Sequence, residues 1–163
     1  MDIDIIIPIY NAFDFVKKCI ETVIEHTDLT QHTLLLVNDK STDERILPLL
    51  NSFIKENQSL NIILIDNKDN QGFVRTVNIG MQYSHHDVVL LNSDTEVTRN
   101  WLSKIQNCAY SKPAVATVTP LSNNATLASV PIFLAENTIP PGLSVEEYAD
   151  IVEKCSMNLF PDI

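Results

Sequence analysis

Apolar residues along the first 118 positions of the chain alternate between two spacings. Short, mostly continuous apolar runs predict strands at 3–9, 34–37, 62–65, 88–91 and 115–118. Between them, apolar residues at helical spacing predict helices at 13–26, just after 41–44, at 73–83 and at 100–110. This strict alternation predicts an α/β fold, with a mostly parallel sheet and helices on both faces.

Individual residues refine these elements. Pro8 lacks an N–H and is expected to end the ladder of the first strand. Ser41 followed by Glu44 resembles a capping box at the start of the second helix. In the third helix, Phe73, Val77 and Met81 are expected to form the apolar side.

The pattern changes after Pro120. Loop signals at 122–124 and 139–142 flank an apolar run, 127–134, that predicts a short edge strand. Ser144, with Glu147 three positions later, predicts a capped helix over 144–155, whereas 157–163 has no pattern. We therefore divide the chain into an α/β region at 1–120 and a loop-rich extension with one helix at 121–163.

Composition excludes several classes of partner. The chain has 163 residues with 21 acids and 11 bases, a net charge of -10, which argues against nucleic acid or an anionic membrane as main partner. No apolar run approaches the roughly 20 residues of a membrane span, and the first residues do not resemble a signal peptide. Three widely spaced cysteines fit free thiols in a reducing cytosol. We expect a cytoplasmic location, either free or peripheral at the inner face of a membrane.

The stretch at 87–96 concentrates the candidate chemistry. Its buried strand stops at Asn92-Ser93-Asp94-Thr95-Glu96, and acids that follow a parallel strand lie at the edge where open α/β sheets bind ligands. Asp94 and Glu96 could hold a divalent cation. A strand followed by a helix cap, with Asp94 or Thr95 bonding free N–H groups, explains the same residues and stays open.

Four motifs at predicted strand ends carry a resemblance. They are Pro8-Ile9-Tyr10-Asn11, Val37-Asn38-Asp39-Lys40-Ser41-Thr42-Asp43, Asn70-Gln71-Gly72 continuing through Arg75, and Asn92-Ser93-Asp94-Thr95-Glu96. Together they resemble the amino-terminal half of a family 2 inverting glycosyltransferase with the GT-A fold, a Rossmann-like nucleotide-diphospho-sugar transferase. The resemblance covers about 3–120, and 101–126 is also similar to bacterial polysaccharide and rhamnosyltransferase-like members.

The resemblance implies roles for these residues. Asp39 would accept the N3–H of a pyrimidine, with Pro8 and Tyr10 lining the same pocket. Asp94, with Glu96 as second ligand, would hold manganese or magnesium bridging the donor diphosphate. The remaining nucleotide-binding residues that we predict are Asn11, Asp66, Gly72, Arg75 and Ser93. The alternatives are hydrogen bonding to backbone for Asp39 and a structural role at a turn for Asp66. For Tyr10 the alternative is turn chemistry, and for Arg75 it is a solvated surface position.

Two departures from the family pattern affect the prediction. Asn92 stands where a first aspartate often occurs, so the metal site has fewer charges. The family's catalytic base lies well beyond the metal motif, and no acid after Pro120 is assigned to it, so the catalytic residue is unknown. The chain looks truncated, and 121–163 would be the start of a missing acceptor region.

The resemblance implies transfer of a sugar from a UDP- or dTDP-linked donor to a saccharide or lipid-linked acceptor in surface polysaccharide synthesis. A noncatalytic nucleotide-binding or interaction module of the same fold is the alternative. A nicotinamide-dependent enzyme is disfavoured because no G-x-G-x-x-G follows the first strand. Apolar residues near 130–134 predict self-association into a homo-oligomer.

Overall fold

The structure is a computed structural model that describes residues 1–125 and 127–156. Its described residues form four strands and five helices. In chain order these are β1 (Ile3–Ile9), α1 (Phe13–His26), β2 (Thr33–Asn38), α2 (Ile46–Glu56), β3 (Ile62–Asp66), α3 (Phe73–Tyr83), β4 (Asp87–Leu90), α4 (Trp101–Ala109) and α5 (Val145–Cys155). The predicted α/β class is confirmed.

The four strands form one parallel sheet in the order β3-β2-β1-β4. The chain moves outward from β1 to β3 and then returns to the other side of β1. Because each crossover is expected to be right-handed, this reversal places α1 and α2 on one face and α3 on the other. The point of reversal lies between β1 and β4, and ligands of open α/β sheets bind at such switch points.

The central strand β1 is buried on both faces. Successive side chains of a strand point to opposite faces, and Ile5, Ile6 and Ile7 are all fully buried. Ile6 packs with Leu35 and Val37 on the α3 face. Apart from Asp4, the sequence of β1 is apolar, which follows from its position in the middle of a covered sheet.

Helix α3 approaches the sheet more closely than its apolar pattern predicts. Phe73 and Met81 are exposed, and the buried residues are Thr76, Val77 and Gly80. A Cβ on Gly80 would lie only 2.6 Å from Cγ2 of Ile6. The expected apolar side is therefore confirmed at Val77 and wrong at Phe73 and Met81, because the small residues Thr76 and Gly80 allow this close contact.

Pro8 does not end the β1 ladder, contrary to expectation. Pairing with β2 continues to Ile9, opposite Asn38. Successive residues of a parallel strand hydrogen-bond to the neighbouring strands on opposite sides. The Ile6 carbonyl oxygen accepts the Leu91 N–H, so Ile6 bonds on the β4 side. Pro8 faces that same side, where pairing stops at Leu90, so its missing N–H interrupts nothing.

Two predicted strands are absent from the described residues. Residues 115–118 form no strand and are mostly exposed. The run 127–134 forms turns, with isolated bridges of Ser122 to Ser129 and Asn124 to Glu136 at its ends. The Asn137 amide organises this loop by donating to the carbonyl oxygens of Asn123 and Ile132. Local side-chain bonds thus replace the expected ladder.

The chain divides into two compact units, Met1–Val97 and the part from Thr98 onward. The functional division placed at residue 120 stays a prediction. In the second unit the capping box of α5 is confirmed, since Ser144 Oγ accepts from the Glu147 N–H and the Ser144 N–H donates to Glu147. The tail 157–163, for which no pattern was found, lies outside the described residues.

All three cysteines are free, with Cys19 buried, Cys108 partly buried and Cys155 exposed. Among the described residues, no helix combines the length and apolar character needed to cross a bilayer.

Candidate functional site

The carboxyl edge of the sheet gathers all four motifs within the first unit. β1 pairs with β2 on one side and with β4 on the other. Neighbouring strands are about 4.8 Å apart, so β2 and β4 lie roughly 10 Å apart across the sheet. Along β1, the pairing of β4 ends opposite Ile6 and that of β2 continues to Ile9. Asp39 directly follows β2, and Asp94 lies four positions after the end of β4. Both acids therefore belong to the edge at the switch point.

Asp39 is buried and its carboxylate is occupied by the loop after β3. Oδ1 accepts the Gln71 N–H at 2.7 Å and the Asn67 side-chain N–H at 2.9 Å. Oδ2 accepts the Gly72 N–H at 2.8 Å, and the Thr76 hydroxyl also bonds the carboxylate. A carboxylate has about four lone-pair sites, so this group is close to saturated by the protein itself.

These contacts keep Asp39 ionised. Burial alone would raise the pKa of the carboxyl, but the hydrogen bonds, with that from the Gln71 N–H the largest, hold the pKa below its ordinary value. A direct bond to a pyrimidine N3–H stays a prediction. It requires one of the present donors to leave, so the geometry favours an indirect role, in which Asp39 fixes the segment around Gly72.

Asn11 joins the loops after β1 and β2. Its side-chain oxygen accepts the backbone N–H groups of Thr42 at 2.8 Å and Asp43 at 2.9 Å. Its own N–H donates to Ser41 Oγ at 2.9 Å. The capping box expected at Ser41 and Glu44 is therefore wrong: α2 begins only at Ile46, and the Ser41 hydroxyl is engaged by Asn11. Asn11 acts between loops, with its side chain turned to protein.

Three residues in the loops after β1 and β2 have left-handed backbone. Asn11 and Ala12 have φ of 59° and 57°, and Lys40 has φ of 57°. Such conformations are uncommon for residues other than glycine, and they cluster at sites where the surrounding structure imposes them. Here the imposed geometry lies at the carboxyl edge, after β1 and after β2.

The end of β3 contributes two side chains. Asp66 is exposed, and its Oδ1 accepts from the buried Asn38 amide at 2.7 Å. Asn67 is buried against Asp39. Sequence reasoning selected Asp66 and missed Asn38 and Asn67, although a polar residue directly after a buried strand is itself an indication of a site.

Gly72 and Arg75 begin α3. Gly72 has φ 76° and ψ 163°, a conformation essentially restricted to glycine. No atom lies within 4 Å of where its Cβ would be, so glycine is required by conformation and the backbone there is open to a ligand. Arg75 is exposed in the first turn of α3.

The remaining predicted residues differ in exposure. Tyr10 is 49% exposed and Pro8 is partly buried, so the Tyr10 ring is accessible at the end of β1. Ser93 is partly buried, whereas Asp94 and Glu96 are exposed on the turn after β4. The structure thus places every predicted site residue at one edge.

The donor set for a metal is small. Across the part of the chain that the structure describes, no group of three His, Cys, Asp or Glu side chains could hold a metal ion. The two exposed carboxylates of Asp94 and Glu96 fit magnesium or manganese when water and substrate phosphates supply the remaining ligands. Asp94 and Glu96 would hold such an ion only as part of a complex with a phosphate ligand.

An open α/β domain with a polar ligand-binding edge at its switch point is the class that this fold and site define. The sequence model of glycosyl transferase family 2 matches residues 4–134, most of the chain, and the protein belongs to this family. A curated relative, poly(ribitol-phosphate) beta-glucosyltransferase of Bacillus spizizenii, is 33% identical over 73 residues, 44% of this chain and 11% of the relative.

Solved structures show the same fold. The mannosyltransferase PcManGT from Pyrobaculum calidifontis, in complex with GDP-Man and Mn2+, has a TM-score of 0.68 at 17% identity, covering 74% of this chain and 35% of that chain. TarS of S. aureus in complex with UDP-GlcNAc has a TM-score of 0.58 at 17% identity, and the match covers 75% of this chain and 38% of the TarS chain. This chain spans between 11% and 31% of the curated relatives it matches.

Proposed function

We propose that this chain binds the nucleotide-diphosphate sugar, UDP- or dTDP-linked, for an inverting glycosyltransferase. The observation that carries the proposal is the convergence of the four motif loops on the carboxyl edge at the switch point, in a chain of glycosyl transferase family 2. Two solved proteins with this fold are in complex with GDP-Man and with UDP-GlcNAc. Ligands of this class therefore have precedent in the fold.

The base and ribose would lie between the ends of β1 and β2. Tyr10 offers an exposed ring for packing, and Pro8 lies beside the end of β2, opposite Val37. Asp66 keeps an exposed carboxylate beside that pocket. Asp39 shapes the pocket through the Gln71–Gly72 segment that it holds.

The diphosphate would lie between α3 and the turn after β4. Gly72 opens the backbone at the start of α3, and the Arg75 guanidinium in the first turn can pair with phosphate oxygens. Asp94 and Glu96 would hold manganese or magnesium on the opposite side. Such an ion offsets the charge of the departing nucleoside diphosphate.

The acceptor and the location are proposed by analogy. The curated relative is named for glucosyl transfer to poly(ribitol-phosphate), which supports a saccharide or lipid-linked acceptor in bacterial surface polysaccharide synthesis. A cytoplasmic place, peripheral at the inner face of the membrane, suits such a role.

A noncatalytic module is the second candidate, and the acids of α5 favour it. Glu146 and Asp150 pair with Arg99, Glu153 pairs with Lys104, and Glu147 completes the capping box. These acids make exposed structural contacts, and the sequence assigns none of them as the base that an inverting transfer needs.

Isothermal titration with UDP, dTDP and GDP, each with and without Mn2+, tests the proposal. We expect the pyrimidine nucleotides to bind with Mn2+, and Asp94→Asn to remove most of the Mn2+ dependence. No heat of binding at millimolar nucleotide would contradict donor binding. A turnover assay with UDP-sugars then separates the two candidates, since only the transferase releases UDP.

A further inference from the structure

One face of α1 holds the segment that follows β4. The Cys19 thiol donates to the Asn92 carbonyl oxygen at 3.6 Å, at the start of the segment. The Val97 N–H donates to Thr22 Oγ1 at 3.2 Å, at its end. Residues three apart on a helix share a face, so Cys19 and Thr22 form two neighbouring points of attachment.

The attachment at Thr22 is buried and fixed in direction. Thr22 is 7% exposed and Val97 is 6% exposed. The Thr22 hydroxyl donates its own hydrogen to the Cys19 carbonyl oxygen at 3.0 Å, which leaves its lone pairs for the Val97 N–H. Without the hydroxyl, a buried backbone N–H loses its partner, a costly state that the segment would relieve by moving.

The two attachments enclose the candidate metal ligands. Asp94 and Glu96 lie between Asn92 and Val97, and the Thr95 N–H donates to the Asn92 carbonyl oxygen at 3.1 Å to close the turn. The two carboxylates are exposed and so are placed by their backbone. A site with only two protein ligands depends strongly on where that backbone holds each of them.

We propose that Cys19 and Thr22 are positioning residues that hold the Asp94–Glu96 turn in place for a divalent cation bound together with a nucleoside diphosphate. This inference rests on the proposed donor binding. It adds that part of the metal affinity is set from within α1, by side chains that never touch the ion. The resemblance assigned neither residue a role.

Thr22→Val tests the inference because it removes the hydroxyl and keeps the shape of the side chain. Thr22→Ser keeps the hydroxyl and is the conservative variant. Val23→Ala, at a fully buried neighbouring position of α1, controls for general loss of stability. Two measurements are made on each protein: amide hydrogen exchange across 92–97 without ligand, and the affinity for UDP with and without Mn2+.

We expect Thr22→Val to accelerate exchange across 92–97 and to weaken Mn2+-dependent UDP binding by about fivefold, the worth of one hydrogen bond. Thr22→Ser should resemble the wild type, and Val23→Ala should lower the melting temperature without a selective change at 92–97. Unchanged exchange in Thr22→Val would overturn the attachment, whatever the protein binds. Faster amide exchange in Thr22→Val with an unchanged Mn2+-dependent affinity for UDP would overturn the positioning role. A wild type that binds UDP neither with nor without Mn2+ would overturn both this role and the proposed function.

Discussion

The carboxylate of Asp39 accepts the backbone N–H of Gly72 at 2.8 Å, across 33 positions of sequence. This bond ties the end of β2 to the residue that begins α3. The Gln71 N–H is held by the same carboxylate at 2.7 Å. A buried acid therefore sets where the backbone of the 71–72 segment stands at the carboxyl edge.

Replacing Asp39 with asparagine should destabilise the protein by about 1–3 kcal/mol. The asparagine amide replaces one carboxylate oxygen with an NH2 group, which cannot accept from the N–H groups that the oxygen accepts in the wild type. A buried donor left without an acceptor has roughly that cost. Urea unfolding measures the change. Asp69→Asn, at an exposed position nearby, is the matched control and should be neutral. Equal free energies of unfolding for the two variants would show that the Asp39 hydrogen bonds do not stabilise the fold.

Gly72→Ala should cost about 1–3 kcal/mol, the usual strain of a residue forced into sparsely populated backbone space. Space is available for the added methyl group, so the cost comes from φ 76° and ψ 163° alone. Gln71→Ala keeps the backbone N–H that Asp39 binds and should change the free energy of unfolding little. If the two variants unfold at the same urea concentration, the conformation at Gly72 is not strained in this way.

His32 should make the stability depend on pH. Burial lowers its pKa against the opposing charges of Asp2 and Asp28, and its Nδ1 accepts the Ile3 N–H at 3.2 Å. The folded state then binds a proton less readily than the unfolded state. The contribution of His32 is therefore complete above the unfolded pKa of about 6.5 and is lost as the pH falls through the folded value.

His32→Asn keeps an acceptor near the Nδ1 position and cannot become charged there. We expect the variant to lose the His32 part of the decline in stability below pH 6.5. Urea unfolding at pH 8, 6.5 and 5 measures it for both proteins. Parallel pH profiles of the wild type and the variant would rule out a role for His32.

Exposed apolar side chains at 132–134 predict self-association. Ile132, Phe133 and Leu134 are 64%, 58% and 61% exposed. Contiguous apolar surface favours association, so light scattering of the wild type should show oligomers that Phe133→Ser reduces. A wild type that stays monomeric at high concentration would remove this prediction.

The sequence predicted the elements from residue 3 to 110 because their apolar residues follow strand and helix spacing, although β3 and β4 are only partly buried. It failed at 115–118 and 127–134, where apolar residues lie in turns held by side chains such as Asn137. An apolar run alone does not show whether a neighbouring strand exists to pair with it.

The site was predictable at the level of loops and less so at the level of contacts. Asp39 and Asp94 could be chosen because each follows an apolar run that predicts a strand. The expected burial is confirmed for β2 and is wrong for β4, whose residues are partly buried or exposed. That Asp39 faces the protein, and that Asn11 caps the turn before α2, depends on contacts across about 30 positions. Thr22 resembled any other residue of an amphipathic helix until its bond to Val97 was seen.

The central claim is that the loops after β1, β2, β3 and β4 bind one nucleotide diphosphate at the carboxyl edge of the sheet. Backbone amide NMR of the isotope-labelled chain, titrated with UDP and then with trace Mn2+, tests it directly. We expect UDP to shift amides at 8–12, 38–41, 66–76 and 91–97, and Mn2+ to broaden those nearest Asp94. Shifts confined to the opposite edge, around Asp4 and 84–86, or no shifts at millimolar UDP, would contradict it.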